Sequence, residues 1–141
     1  MKVLFDTNVI LDVLLARTPH AEVAVRLLNL VDQGKLEGVL CATTVTTLHY
    51  LATKAVGRRK AGKHVREIMA MFEVAPVDRA VLAQALELGY ADHGDAVLHE
   101  AARLVGADGI VTGNRKDFAK ASIPVFDPQE LLSAALAVES Q

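Results

Sequence analysis

Short apolar runs alternate with helical stretches along the whole 141-residue chain, and this alternation restricts the fold more than any other feature. The runs are Lys2–Phe5, Gly38–Ala42, Glu73–Val77, Ile110–Thr112 and Ile123–Phe126. Between them the apolar spacing and punctuation predict helices over residues 8–15, from Thr18-Pro19 to Asp32 with a stop at Gly34, and from a Thr43 or Thr44 cap to Val56 with Gly57 beyond it. Further helices are expected over 59–72, over 79–88 behind an Asp78 cap and before Gly89, over 95–105 before Gly106, and from Asp127-Pro128 to about Ala137. Strands that each hand over to a helix need a parallel sheet with helices on both faces. In the second helix Val23, Ala24, Leu27, Leu28, Leu30 and Val31 cover more than one face, which simple burial or a subunit interface would use.

Aromatic residues make up only 4% of the chain against 52% hydrophobic residues, so the core must be built from Ala, Val, Leu and Ile. A net charge of −2 excludes nucleic-acid binding by bulk charge; any basic surface must be local. Cys41 is the only cysteine, which rules out an intrachain disulfide and fits a reducing compartment. The charged break at Asp6 excludes a secretory signal, and no apolar run approaches the roughly 18 residues of a membrane span. The expectation is a soluble, cytoplasmic single domain over residues 1–137 with a frayed tail at 138–141.

Three segments carry chemistry. Asp6 follows Val3-Leu4-Phe5, so its carboxylate stands where a buried strand ends, the edge at which open α/β sheets bind ligands. A carboxylate beside the core is costly unless positive charge answers it. Asp95 lies on the same stripe as Leu98, Ala101, Ala102 and Val105, which turns a carboxylate inward at a helix's first turn. Asp92 reads first as a helix cap and second as a supporting metal residue. Thr112-Gly113-Asn114-Arg115-Lys116-Asp117-Phe118 follows a strand, and Asn114 and Asp117 both offer oxygen ligands. Carboxylates gathered at one edge call for a hard divalent cation, and an oxygen-only donor set suits Mg²⁺ or Mn²⁺ rather than zinc.

Asp6-Thr7-Asn8-Val9-Ile10-Leu11-Asp12 resembles the opening motif of PIN-domain ribonucleases. Asp92-His93-Gly94-Asp95-Ala96 and the segment Ala107 to Phe118 resemble the family's second half, in order and over nearly the whole chain. The resemblance is to the VapC-like toxins of toxin–antitoxin pairs. It implies a three-layer α/β/α sandwich with a central parallel sheet of four to five strands, and a Mg²⁺- or Mn²⁺-dependent endoribonuclease. Asp6 and Asp95 match the metal-binding aspartates, and Asn114 or Asp117 lies where the last ligand is supplied. Asn8 matches a polar residue beside the first aspartate and Thr112 a site-lining hydroxyl. Thr47 stands where many PIN domains carry a glutamate, so lower metal affinity is expected, with Asp12 as a possible source of extra negative charge. A cognate antitoxin and a homodimer are the implied partners, besides RNA.

Arg58, Arg59, Lys60, Lys63 and Arg66 cluster on one stretch, and Arg59, Lys63 and Arg66 share a helix face suited to RNA phosphates; a solvated face explains them equally well. Arg115 and Lys116 are nearer the proposed centre. His49, His93 and His99 lack metal-ligand spacing, and His99 is placed one turn from Asp95, where it would line the pocket or serve the core. There is no nucleophile elbow and no Gly-rich phosphate loop. The alternatives to a nuclease are a catalytically weakened RNA- or protein-binding module and a metal phosphohydrolase for small substrates.

Overall fold

The computed structural model describes residues 1–139. Five strands, β1 (Lys2–Phe5), β2 (Glu37–Cys41), β3 (Glu73–Ala75), β4 (Gly109–Val111) and β5 (Val125–Phe126), form one parallel sheet in the order β3-β2-β1-β4-β5. The helices are α1 (Thr7–Leu14), α2 (Ala21–Asp32), α3 (Ala42–Val56), α4 (Arg58–Met71), α5 (Arg79–Glu87), α6 (His93–Leu104) and α7 (Pro128–Glu139).

Both faces of the sheet are covered, so its strands are continuous apolar runs with period-two alternation between two cores. Val3, Phe5, Leu40 and Val111 pack with α1, α2, α4 and α7, through Ile10, Leu27, Ile68, Leu131 and neighbouring residues. Leu4, Val39, Cys41 and Ile110 pack with α5 and α6, through Val81, Ala85, Val97, Ala101 and others. This is the α/β/α sandwich. The α2 residues Ala24, Leu27, Leu28, Leu30 and Val31 are all buried within the chain. The ring of Phe72 meets Phe5 edge to face at 5.1 Å and packs directly on Gly38, where a Cβ would sit 2.5 Å from the ring. The few aromatics thus work as wedges in an otherwise aliphatic core.

Several expected boundaries move. The strand expected over 73–77 stops at Ala75, before Pro76, which has no N–H to donate to a ladder. The last strand loses Ile123 and Pro124, although the Pro124 carbonyl still accepts from the Ile110 N–H at 2.9 Å. Neither Thr43 nor Thr44 caps α3: β2 passes into the helix at Ala42 without an intervening residue, and Cys41 occupies the cap position. Residues Arg115–Phe118 form a 3₁₀ turn that the sequence spacing does not predict. Asp78 does cap α5, accepting from the Val81 N–H at 3.0 Å. Val138, assigned to a frayed tail, is in α7, and the fray expected at Ser140 and Gln141 falls outside the described residues.

Candidate active site

The chain builds β1, β2 and β3 toward one side and then returns to lay β4 and β5 on the other side of β1. That reversal opens a crevice at the carboxyl ends of β1 and β4, the position at which doubly wound sheets hold ligands. Phe5 is in register with Val111, so Asp6 and Thr112 are the next residues on each strand. The Asp6 N–H extends the ladder by donating to the Val111 carbonyl at 2.9 Å. The Thr112 hydroxyl donates to Asp6 Oδ2 at 2.8 Å and accepts from the Asn114 N–H at 3.1 Å. Asp6 is 7% exposed and Thr112 fully buried. Thr7 continues the same floor, its hydroxyl 2.8 Å from that of buried Thr44 on α3. The sequence marks Thr44 only as a cap candidate; its single signal, a hydroxyl in an apolar neighbourhood, fits either role.

The electrostatics join segments distant in sequence. Burial raises the Asp6 carboxyl above the usual carboxylate range, partly offset by the Thr112 hydroxyl and the Thr7 N–H, and Asp117 and Asp92 push it further up. Asp95, half-buried in the first turn of α6, is pushed up to about 6, first by burial and then by Asp92, Asp6 and Asp117. Asp92 caps α6 by accepting from the Asp95 N–H at 3.2 Å, and its charge still reaches Asp95. Asp117 is exposed on the 3₁₀ turn.

Asp6, Asp92, Asp95 and Asp117 therefore share one field. Among the described residues no three His, Cys, Asp or Glu side chains converge to hold an ion by themselves. Mg²⁺ is ordinarily held by one or two carboxylates plus waters and substrate phosphate, so an oxygen-only, mutually repelling set fits that cation in kind.

An open cleft of about 540 Å³ runs from Asp6, lined also by Asn8, Asn114, Asp12, Arg17 and Gln129. Asp12 is paired with Arg17 at 3.1 Å, so its charge is already answered. The Thr47 side chain is exposed and donates to the Thr43 carbonyl at 3.1 Å. Arg58, Arg59, Lys60, Lys63 and Arg66 are exposed on α4, which packs on α3, and none of them lines the cleft. Arg115 pairs with Glu130 of α7 at 2.8 Å, while Lys116 is exposed. His99 does not line the cleft: it is 2% exposed, and its Nε2 accepts from the Ser122 N–H at 3.1 Å. Its Nδ1 lies 3.5 Å from Glu100 Oε1 without forming a hydrogen bond, and burial holds its pKa below the usual histidine value. No helix among the described residues is long and apolar enough to cross a membrane.

Residues 2–116 match the family model of the PIN domain, and the chain belongs to that family. It is 25% identical over 134 residues to "Ribonuclease VapC1" of Aquifex aeolicus, covering 92% of each chain. Among solved structures, a chain of VapBC-1 from nontypeable Haemophilus influenzae superposes with a TM-score of 0.70 at 16% identity, over 92% of this chain and 99% of that one. A chain of a toxin-antitoxin complex from Klebsiella pneumoniae superposes with a TM-score of 0.68 at 23% identity, over 89% and 97%.

Proposed function

We propose that this protein is a Mg²⁺- or Mn²⁺-dependent endoribonuclease, the toxin of a toxin–antitoxin pair acting in the cytoplasm. The observation that carries the reading is a field shared by three separate segments: besides burial, Asp117 and Asp92 push up the Asp6 carboxyl, and Asp92, Asp6 and Asp117 push up that of Asp95. Membership of the PIN family and the similarity to a VapC ribonuclease support the choice of RNA phosphodiesters over small phosphate esters. The likeness to a toxin-antitoxin complex supports a cognate antitoxin as partner, and a homodimer is the proposed assembly.

Asp6 and Asp95 would hold the ion, with Asp117 or Asn114 as a further oxygen donor. When bound, such an ion lowers the pKa of water and offsets the charge that develops on a phosphoryl group. The chain's own contribution is to keep these groups in place. Thr112 fixes the rotamer of Asp6 from within the sheet, and the Asn114 N–H fixes Thr112 in turn. The cap from Asp92 sets the first turn of α6 and with it the direction of Asp95. The side-chain amides of Asn8 and Asn114 line the cleft, where they offer both donors and acceptors to a nucleotide.

Asp6→Asn and Asp95→Asn should each reduce Mn²⁺-dependent cleavage of single-stranded RNA by at least 10³-fold, on the order of a lost electrostatic element of a catalytic centre. Unchanged far-ultraviolet circular dichroism would show that the fold is kept. Full cleavage by Asp95→Asn would remove this assignment.

A second reading, a catalytically weakened RNA- or protein-binding module, is favoured by Thr47, whose neutral hydroxyl is spent on its own helix. Thr47→Glu separates the two. A gain of Mn²⁺-dependent cleavage over an inactive parent marks a weakened site, and an active parent with no gain removes that reading.

A further inference from the structure

The cleft beside Asp6 has a use for Arg17 that the acidic centre alone does not explain. Arg17 lies in the turn between α1 and α2, held by its N–H to the Asp12 carbonyl at 3.0 Å and by its own carbonyl, which accepts from the Ala21 N–H at 2.8 Å. Its Nε stands 3.1 Å from Asp12 Oδ1, and its Nη2 donates to the Asn8 carbonyl at 3.4 Å. Nη1 makes no hydrogen bond among the described residues, and the side chain is 42% exposed. The guanidinium is thus anchored along one edge and open along the other, in a cleft that also contains Asp6. Arginine's planar fork is suited to phosphate, and a guanidinium already oriented loses little freedom on binding one.

We propose that Arg17, oriented by Asp12, is a phosphate-binding residue for the RNA nucleotide next to the scissile bond, seated in this cleft. The inference rests on the nuclease reading and names the substrate subsite of that same centre. A volume of about 540 Å³ lies within the range of small-ligand sites. Asn8, Asn114 and Gln129 supply amides of the kind that read base edges, and His20 an exposed ring of the kind on which unpaired bases stack. A cationic protein side chain is less suited, because Asp12 is already paired and Asp127 accepts from the Glu130 N–H as the cap of α7.

The test uses a fluorescent single-stranded RNA and its anisotropy over a salt series, in the Asp95→Asn background and with Mn²⁺ present. Arg17→Gln should weaken binding about tenfold, the loss of a charge-assisted hydrogen bond, and lower the slope of log K against log salt by about 0.7, one phosphate contact on a single strand. Arg17→Lys should keep the slope while recovering only part of the affinity. Asp12→Asn should weaken binding a few-fold with the slope unchanged. In the parent background Arg17→Gln should raise KM more than it lowers kcat.

Unaltered affinity and slope in Arg17→Gln would overturn the subsite, as would loss of binding only to a protein partner. The two readings fail separately. A parent that cuts RNA with Arg17→Gln indistinguishable from it removes the subsite alone. A parent that binds RNA through Arg17 without cutting removes the nuclease alone.

Discussion

Asp6 owes its placement to a local fact and its chemistry to a distant one. An apolar triplet before it and an apolar helix after it place its carboxyl at the end of a buried strand, and in the fold it is buried. The hydroxyl that partners it belongs to Thr112, 106 residues away. Asp95 shows what such a neighbourhood costs. Its folded pKa is about 6 against an ordinary 3.8, so between those values the folded protein binds more protons than the unfolded chain. Stability therefore falls as pH rises from about 4 to 6 and stays lowered above that range. Asp95→Asn should remove this dependence. Allowing for solvent screening of a half-exposed group, it should gain on the order of 1 kcal/mol at pH 7 and nothing at pH 3, as read by urea unfolding at both pH values. At pH 3 the wild-type Asp95 carboxyl is largely neutral in the folded and the unfolded state alike, so a gain that persists there would point to packing instead of charge.

Each element sits where its neighbours leave room. Gly109 begins β4 with the Phe126 ring against it: an added Cβ would lie 2.7 Å from Cε2 and 3.0 Å from the Pro124 carbonyl. Gly109→Ala should therefore cost about 1–3 kcal/mol through displacement of β5, whereas Gly113→Ala in the loop beyond, with nothing within 4 Å, should change stability by less than about 0.5 kcal/mol. Thermal denaturation of the two variants side by side checks the contrast. The 3₁₀ turn that carries Asp117 is tied to α7 by Arg115 and Glu130, both about half exposed. That pair adds little energy and chiefly directs the turn. The clustered cations of α4 have a different character, lying exposed on a helix that does not border the cleft.

The molecule as a whole is a scaffold that brings four aspartates from three segments within electrostatic reach of one another. Any divalent ion that binds the folded protein and not the unfolded chain stabilises it by mass action. Mn²⁺ at 100 times its Kd should add about 2.7 kcal/mol, a rise in Tm of roughly 10 °C for a domain of this size. Asp6→Asn and Asp95→Asn should each abolish most of that rise, and an equal rise in both variants would place the ion elsewhere. This measurement is independent of RNA cleavage, so it separates the metal assignment from the question of activity raised by Thr47.

Much of this was readable in the residues. Strand-to-helix alternation dictated the α/β class, because a strand buried on both faces must be uniformly apolar and each crossover needs a helix. The ordered motifs around Asp6, Asp92 to Asp95 and Thr112 to Asp117 pointed to the PIN family, and Asp78 and Asp92 were legible as caps since capping depends on neighbours three residues away. Boundaries at Pro76, Pro124 and Ala42 shifted because ladder hydrogen bonds and the direct β2–α3 junction are settled between segments. The pairings of Thr112 with Asp6, Thr44 with Thr7, and Arg115 with Glu130 were set by folding. Periodicity records which face of an element turns inward, while the partner it meets there depends on strand order and register, and these exist only once the sheet is assembled.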